Sequence, residues 1–587
     1  MKIIPIPQKV TELGGCFELS KAKTVCVSEN TDLRINRALA VLCNEIGEKV
    51  TPPVINCVSG EITLSCGDMD CESYTLKITP DGISLASDGV KGLFYAIQTL
   101  RQIVSAYGEN LPCVEIEDAP AFPERGFYHD VTRGRVPTLE QLFKIVDFIS
   151  YYKINALQLY VEDAFAFKEY EGIMKPEEML TADEIKKLDD YCYLHFVEFV
   201  PSMSTFGHLY NLLQSDRYKH LCGLENYVPA AHYWIEKMRH HTIDVSNPES
   251  IELVKSMIDQ YVPLFRSEKF NICCDETFDL CKGRNVGKDS GEEYFGFLKK
   301  IISHVRSYGK TVMMWGDIAL KHPEMLSEIP EGTVMLNWTY SANPDENKVK
   351  TLADAGLIQI VCPGTTSWNR FVERLEVSEP NICKLTDYGK KYGALGILNT
   401  NWGDFGNICP FNCELYGTVL GAEKGWNPDA ALGEDYEIAA SKLIYGVDDV
   451  NVISLIRELG YAENTCKWNV IVDTVSSKQF GYTSPVFEGD ANLIAANIAK
   501  TEEIEKALSS LDGNKEIISD LILSCKAIRL MNSMILYTKG GGLMNRVELA
   551  GEIGAFLPEY RAQWLRENKE SQLIRIERFL AELPYYL

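Results

Sequence analysis

Between Arg125 and Asp404 short apolar runs alternate with longer stretches in which apolar side chains recur every three or four positions. A short apolar run bounded by turn residues marks a strand, and the 3.6-residue recurrence marks a helix. Eight strands are predicted, at residues 126–131, 156–161, 198–203, 270–274, 311–314, 333–336, 357–361 and 395–399, separated by helices such as 139–152 and 291–308. Eight consecutive βα units in under about 300 residues fit a TIM (β/α)8 barrel.

The pattern differs on either side of this block. Residues 1–120 mix short alternating segments with one amphipathic helix at 90–104, where Leu93, Ile97, Leu100 and Val104 share a face, and this predicts a small α/β domain. Two prolines in Asp118-Ala-Pro-Ala-Phe-Pro-Glu-Arg125 discourage a continuing helix and suit an extended entry into the barrel. Beyond Trp426 the strand signal ends, and helical runs at 435–445, 492–511, 514–537 and 561–583 predict a helical C-terminal domain. The expected organisation is therefore an N-terminal α/β domain (1–120), a TIM barrel (121–425) and a helical domain (426–587). Lys539-Gly-Gly-Gly542, far from any strand, reads as a turn rather than a phosphate cradle.

Composition narrows the function. The 587 residues are 46% hydrophobic and 24% charged, with no uncharged apolar run of the roughly 18 residues needed to span a bilayer, so no membrane partner is expected. The opening Met1-Lys2-Ile3-Ile4-Pro5 lacks the layout of a secretory signal, and the expected location is cytoplasmic. Eighteen cysteines occur without a CxxC pair and are read as reduced, buried thiols. Cys409-Pro-Phe-Asn-Cys413 is followed by no matching His or Cys cluster, so neither a metal nor another cofactor is expected. With 58 basic against 83 acidic residues and a net charge of −25, nucleic acid is excluded as a partner. The sequence leaves open whether the helical tail pairs two copies into a homodimer.

In a barrel of this kind reactive groups sit at the C-terminal strand ends. The predicted ends carry Asp130 and Arg133, Glu162-Asp163, His208, Asp275-Glu276, Trp315 with Asp317, Asn337-Trp338, Trp368-Asn369 and Trp402-Gly-Asp404. Half of the eight tryptophans, namely Trp315, Trp338, Trp368 and Trp402, follow a strand. A single such Trp is ordinarily a core residue, but four at one face point to a ligand pocket. Indole planes stack on the C–H faces of sugar rings, and carboxylates, Arg and His bind sugar hydroxyls, so the inventory suits a carbohydrate.

These motifs, with Gly92-Leu-Phe-Tyr-Ala-Ile-Gln-Thr-Leu100, Arg125-Gly126, Phe206-Gly-His208, Asp275-Glu276 and Trp402-Gly-Asp404, resemble glycoside hydrolase family 20, the β-N-acetylhexosaminidases, over roughly the first 420 residues. The resemblance implies an exo-acting, retaining hydrolase that removes terminal GlcNAc or GalNAc from an oligosaccharide or glycoconjugate. It implies Glu276 as general acid/base and Asp275 as the group that orients the substrate's acetamido. It further implies that Arg125, Asp163 and Asp404 bind hydroxyls, that His208 supports the dyad, and that Trp315, Trp338 and Trp402 enclose the acetamido methyl and the sugar face. For the group that hydrogen-bonds the acetamido oxygen, the candidates are Trp368, Asn369 and Tyr340. The sequence departs from the common family pattern at Cys273-Cys274, where many members have Gly-Gly, and at Ser204, where they have Asp.

Physical reasoning agrees with that mechanism. Carboxylates that act from opposite sides of an anomeric carbon stand about 5–5.5 Å apart in retaining enzymes and about 6.5–9.5 Å apart in inverting ones. Consecutive residues cannot easily straddle a ring, whereas a reaction in which the acetamido oxygen attacks needs one acid and one orienting carboxylate. Two alternatives stand beside it: a metal-dependent barrel, since strand-end acids also chelate, and a sugar-binding barrel without catalysis.

Overall fold

The structure is a computed structural model that describes every residue except Glu29, Asn30, Cys57, His240, Ser484 and Leu543. The N-terminal part holds seven strands, β1 (Lys9–Glu18), β2 (Thr24–Cys26), β3 (Val54–Asn56), β4 (Ile62–Cys66), β5 (Tyr74–Thr79), β6 (Gly82–Ser87) and β7 (Asn110–Asp118). They form one mixed sheet in the order β1-β7-β5-β6-β4-β2-β3. Strand β5 alternates strictly, with Tyr74, Leu76 and Ile78 buried, so one face of the sheet is apolar. The helices Leu33–Gly47 and Val90–Tyr107 cover it, and the second buries Leu93, Ile97, Leu100 and Val104 as the sequence pattern predicts.

Eight further strands follow: β8 (Glu124–Asp130), β9 (Ala156–Tyr160), β10 (Glu198–Val200), β11 (Lys269–Asn271), β12 (Thr311–Trp315), β13 (Val334–Trp338), β14 (Ile358–Cys362) and β15 (Gly396–Asn401). Each coincides with a predicted strand to within a few residues. All pair in parallel in the order β10-β9-β8-β15-β14-β13-β12-β11. The two ends of that order meet through Ser202 and Asn271, where Asn271 N–H donates to Pro201 O at 2.8 Å and Met203 N–H to Asn271 O at 3.1 Å, closing the barrel. Its interior is packed by large side chains, among them Tyr128, Tyr160, Met313, Trp315 and Leu398. It is a filled core, and reactive groups gather at the C-terminal strand ends.

Helices form the remainder, from Glu434–Tyr445 to Leu573–Tyr586, and their apolar faces share one continuous core with the barrel helices. The predicted helix at 561–583 is in fact two, Arg546–Glu567 and Leu573–Tyr586. Backbone groups at the break bond to the loop after β8 instead of continuing the helix: Thr138 N–H donates to Glu567 O at 2.9 Å and Lys569 N–H to Val136 O at 2.8 Å. The helices Val452–Glu463 and Trp468–Phe480 went unpredicted. No helix among the described residues is long and apolar enough to cross a membrane, and every described cysteine is a free thiol.

At the opposite end of the barrel, Arg125 joins the first strand to the N-terminal sheet. Its guanidinium is buried and donates to Glu72 Oε2 (2.7 Å), Phe122 O (2.7 Å), Lys153 O (3.1 Å) and Tyr95 Oη (3.1 Å), over the Trp426 ring. Removing one partner of a buried, fully bonded charge costs about 3–5 kcal/mol. Arg125→Met is therefore expected to lower the urea midpoint by an amount equivalent to about 3 kcal/mol or more. A midpoint unchanged from the parent would show that this guanidinium does not hold the junction.

Candidate active site

At the C-terminal ends of the strands lies a cavity of about 150 Å³. Arg133, His208, Asp275, Glu276 and Asp404 supply its charge, and Trp338, Tyr340, Trp368, Trp402 and Met238 its apolar walls. A wider hollow of about 880 Å³ opens at the other end of the barrel, around Glu198 and Lys269, but it lacks this convergence of carboxylates with indole rings.

The acidic pair is carried by a loop with unusual backbone. After β11, Cys273 (φ 56°), Cys274 (φ 65°) and Glu276 (φ 46°) all adopt left-handed conformations. Such residues cost about 1–3 kcal/mol each unless the surroundings fix them. Here they do. Asn271 Oδ1 accepts from Cys273 N–H (2.9 Å), Cys273 O accepts from Trp315 N–H (2.9 Å), and Cys274 O accepts from Tyr294 O–H (2.8 Å). Glu276 N–H then donates to Asp317 Oδ2 at 3.1 Å. The φ values explain why glycine suits the first two positions. The thiols that replace it fill space on the two sides of the barrel wall, Cys273 Sγ in the interior against Ser202 Oγ (3.5 Å) and Cys274 Sγ in the surrounding core against Thr205 Oγ1 (3.3 Å). Gly207 serves the same loop, since a Cβ there would stand 2.8 Å from the Asp275 carbonyl oxygen.

His208 (φ 58°) ties the acids together. Its Nε2 lies 3.1 Å from Asp275 Oδ2 and 3.6 Å from Glu276 Oε2, and its Nδ1 lies 3.4 Å from Glu162 Oε1. Burial disfavours the imidazolium, but Asp275 and Glu162 outweigh it and push the His208 pKa up to about 10. Glu162 is held well below the usual carboxylate range despite burial, because Lys237 Nζ stands 3.2 Å away and His208 adds to it. The nitrogen and carboxylate oxygens of the triad His208, Asp275 and Glu276 lie within 4.8 Å of one another, close enough for the imidazole proton to be shared with the acids.

Asp275 Oδ1 is buried and accepts no hydrogen bond. Of the buried carboxylate oxygens without a donor among the described residues, this one alone belongs to a residue lining the cavity, where a ligand's N–H can supply the missing bond. Burial and the charge of Asp275 raise Asp317 to about 7. On the far wall Asp130 accepts from Arg133 Nε at 2.6 Å and so aims the guanidinium at Asp404, 2.6 Å away. Burial raises Asp404 to about 6, with Arg133 opposing the rise and Asp130 adding to it. The aromatic wall is rigid: Trp402 Nε1–H donates to Tyr340 Oη at 2.7 Å, Tyr340 stacks on Trp338 at 5.1 Å, and Trp368 meets Tyr340 edge-on at 5.0 Å.

Of the residues expected to bind a sugar, His208, Asp275, Glu276, Trp338, Trp368, Trp402 and Asp404 line this cavity, and four do not. Arg125 is at the wrong end of β8, pairing with Glu72; the arginine that reaches the pocket is Arg133, past the C-terminal end of the same strand. Asp163 is buried beneath the site and bonded to Lys237 (2.9 Å) and Asn211. Trp315 is fully buried behind Trp402, 5.7 Å between ring centroids. Asn369 holds a loop, its carbonyl accepting from Trp468 N–H at 3.3 Å. Arg133 was legible as a basic residue three positions after the strand-end Asp130; Lys237 and Met238 lie at the end of the five-residue helix Tyr233–Lys237, too short to give a periodic signal.

The charge on His208 is directly measurable. A pKa raised above the ordinary 6.5 means the imidazolium's contribution to folding is complete below that pH and is lost only as pH rises through about 10. The ring proton resonance that disappears in His208→Asn should therefore show no titration between about pH 5 and 8.5. A midpoint near 6.5 would contradict the triad.

The chain is also similar to known proteins. Residues 1–119 match the model for glycosyl hydrolase family 20, domain 2, and residues 122–400 match the model for the catalytic domain of the same family. A beta-hexosaminidase of Porphyromonas gingivalis is 26% identical over 364 residues, 54% of this chain and 45% of the relative, so the match spans about half of that protein's length. Human hexosaminidase D is 22% identical across 77% of this chain and 92% of its own. Among solved structures, a Flavobacterium johnsoniae chitobiase superposes with a TM-score of 0.63 at 17% identity, covering 100% of this chain and 99% of that one. The Streptomyces plicatus N-acetyl-beta-hexosaminidase gives 0.61 at 20% identity, covering 76% and 94%. The structural likenesses establish the fold, and with both family models matched in order along the sequence, the chain belongs to glycosyl hydrolase family 20.

Proposed function

We propose that the chain is an exo-acting β-N-acetylhexosaminidase that releases terminal GlcNAc or GalNAc with retention of configuration, using the substrate's own acetamido oxygen as nucleophile. One observation carries the reading: Asp275 and Glu276 reach the same imidazole nitrogen from consecutive residues, so they stand side by side and do not flank a sugar ring. The carboxylate on the far wall, Asp404, is taken up by Arg133 at 2.6 Å, so the nucleophile belongs to the substrate.

In this mechanism Glu276 gives its proton to the glycosidic oxygen as the C1–O bond breaks, while the acetamido carbonyl oxygen bonds to C1 and forms an oxazolinium ion. Asp275 Oδ1 accepts the amide N–H, whose acidity rises as that ion forms, so the bond is stronger in the transition state than in the ground state. Water then gives its proton to the Glu276 carboxylate and attacks C1, and the ring opens back to the acetamido sugar. Imidazolium His208 lies 3.1 Å from Asp275 Oδ2 and orients that carboxylate. Trp338, Trp368 and Trp402 enclose the acetamido methyl and the sugar face, the Tyr340 hydroxyl donates to the acetamido oxygen, and Asp404, steadied by Arg133, accepts from sugar hydroxyls. The free thiols support a reducing, cytoplasmic setting.

Aryl N-acetyl-β-D-glucosaminide or galactosaminide should release the aryl alcohol, and the plain aryl glucoside should not. Glu276→Gln should lower kcat for a poor leaving group by about 10²–10⁴-fold, and azide should rescue it to the β-azide. Equal hydrolysis of the plain glucoside would sink the acetamido mechanism.

A further inference from the structure

Glu276 and Trp338 are walls of two cavities at once. On the other side of the Glu276 carboxyl a hollow of about 520 Å³ opens between Phe278, Trp338, Lys321 and Lys348. Because Glu276 hands its proton to the oxygen linking the departing sugar to its neighbour, that neighbour must occupy this second hollow. What the hollow offers therefore selects the leaving group.

It offers two aromatic rings, each accompanied by an ammonium group. Lys321 Nζ lies 5.5 Å from the Phe278 ring centroid and Lys348 Nζ lies 5.8 Å from that of Trp338, both within cation–π range. Among the described residues neither ammonium forms an ion pair, whereas the nearby Lys299, Lys350 and Lys391 do, with Glu328, Asp354 and Glu346. Of the three acids at the hollow, Glu276 is the proton donor, Asp345 Oδ1 caps the helix Glu346–Asp354 by accepting from Asn347 N–H at 3.0 Å, and Asp317 accepts from Glu276 N–H with the charge of Lys321 acting on it from beyond ion-pair distance. In a chain with 83 acidic and 58 basic residues, two unpaired lysines facing one cavity stand out.

We propose that this hollow is a leaving-group subsite for a sugar bearing an anionic substituent, a uronate carboxylate or a sulfate ester, with its ring against Phe278 and Trp338 and its charge met by Lys321 and Lys348. The proposal rests on the hexosaminidase reading and adds the substrate class. The protein's overall negative charge does not favour such a substrate at a distance, but beyond about 8 Å that field is screened at physiological salt, so the two lysines act once the substrate is docked.

The test compares kcat/KM for N-acetylglucosamine, and separately N-acetylgalactosamine, β-linked to glucuronic acid, to glucose 6-sulfate and to glucose. The wild-type enzyme should prefer an anionic leaving sugar over glucose by about five- to tenfold, as two partly exposed charge pairs provide. Raising salt, or the double substitution Lys321→Met with Lys348→Met, should bring the ratio toward one. Preference for one of the two anions identifies which group the lysines meet. If the aryl N-acetylhexosaminide is turned over but glucose is released as readily as either anionic sugar, the subsite proposal is overturned and the hexosaminidase reading stands; if the aryl N-acetylhexosaminides are inert, both fall.

Discussion

Two carboxyl groups on consecutive residues share one charged imidazole, and the remainder of the site is arranged around that constraint. Side by side at 3.1 and 3.6 Å from His208 Nε2, Asp275 and Glu276 would repel each other if both were ionised with no cation between them. His208 is the cation, and it is itself kept charged by Glu162, which Lys237 neutralises in turn. The result is a chain of alternating charges running from the helix Tyr233–Lys237 into the pocket. It leaves one carboxylate oxygen, Asp275 Oδ1, buried and unused, which is what an amide-bearing sugar can satisfy.

Holding consecutive acids in that posture needs a backbone that ordinary residues resist, and the fold supplies it from several directions. The closing contact of the barrel between Ser202 and Asn271 lies directly beneath the left-handed turn at Cys273 and Cys274. Helical residues far along the chain brace the facing loops. Ser571 Oγ–H donates to Gly134 O at 2.8 Å behind Arg133, Arg135 bonds to Gln563 at 3.0 Å, and Trp468 Nε1–H donates to Phe405 O at 2.8 Å beside Asp404. The C-terminal helices thus position the site without lining its central cavity.

Much of this was written in the sequence, for identifiable reasons. Parallel barrel strands are buried on both faces and read as compact apolar runs, so all eight were visible, and with them the strand ends where Asp275, Glu276 and three of the four tryptophans meet the pocket. Direction along a strand was harder to read. Arg125 and Arg133 flank the same strand, and only the distance from its C-terminal end, where Asp130 accepts from Arg133, separates a junction residue from a pocket residue. Trp315 and Asp163 were misplaced by depth: each sits at a strand end, but its side chain is buried behind Trp402 or beside Lys237. The break at Asn568 was invisible because its backbone partners lie some 430 residues away, in the loop after β8.

The central claim is that Asp275 Oδ1 awaits the amide N–H of a cyclising acetamido group. Calorimetric titration of an N-acetylglucosamine-derived thiazoline, a stable likeness of the oxazolinium ion, into the wild-type protein and Asp275→Asn tests it most directly. The thiazoline is expected to bind at least about a hundredfold more tightly than N-acetylglucosamine itself, and Asp275→Asn to remove most of that advantage. Equal affinity of the wild-type protein for the thiazoline and the free sugar would contradict it.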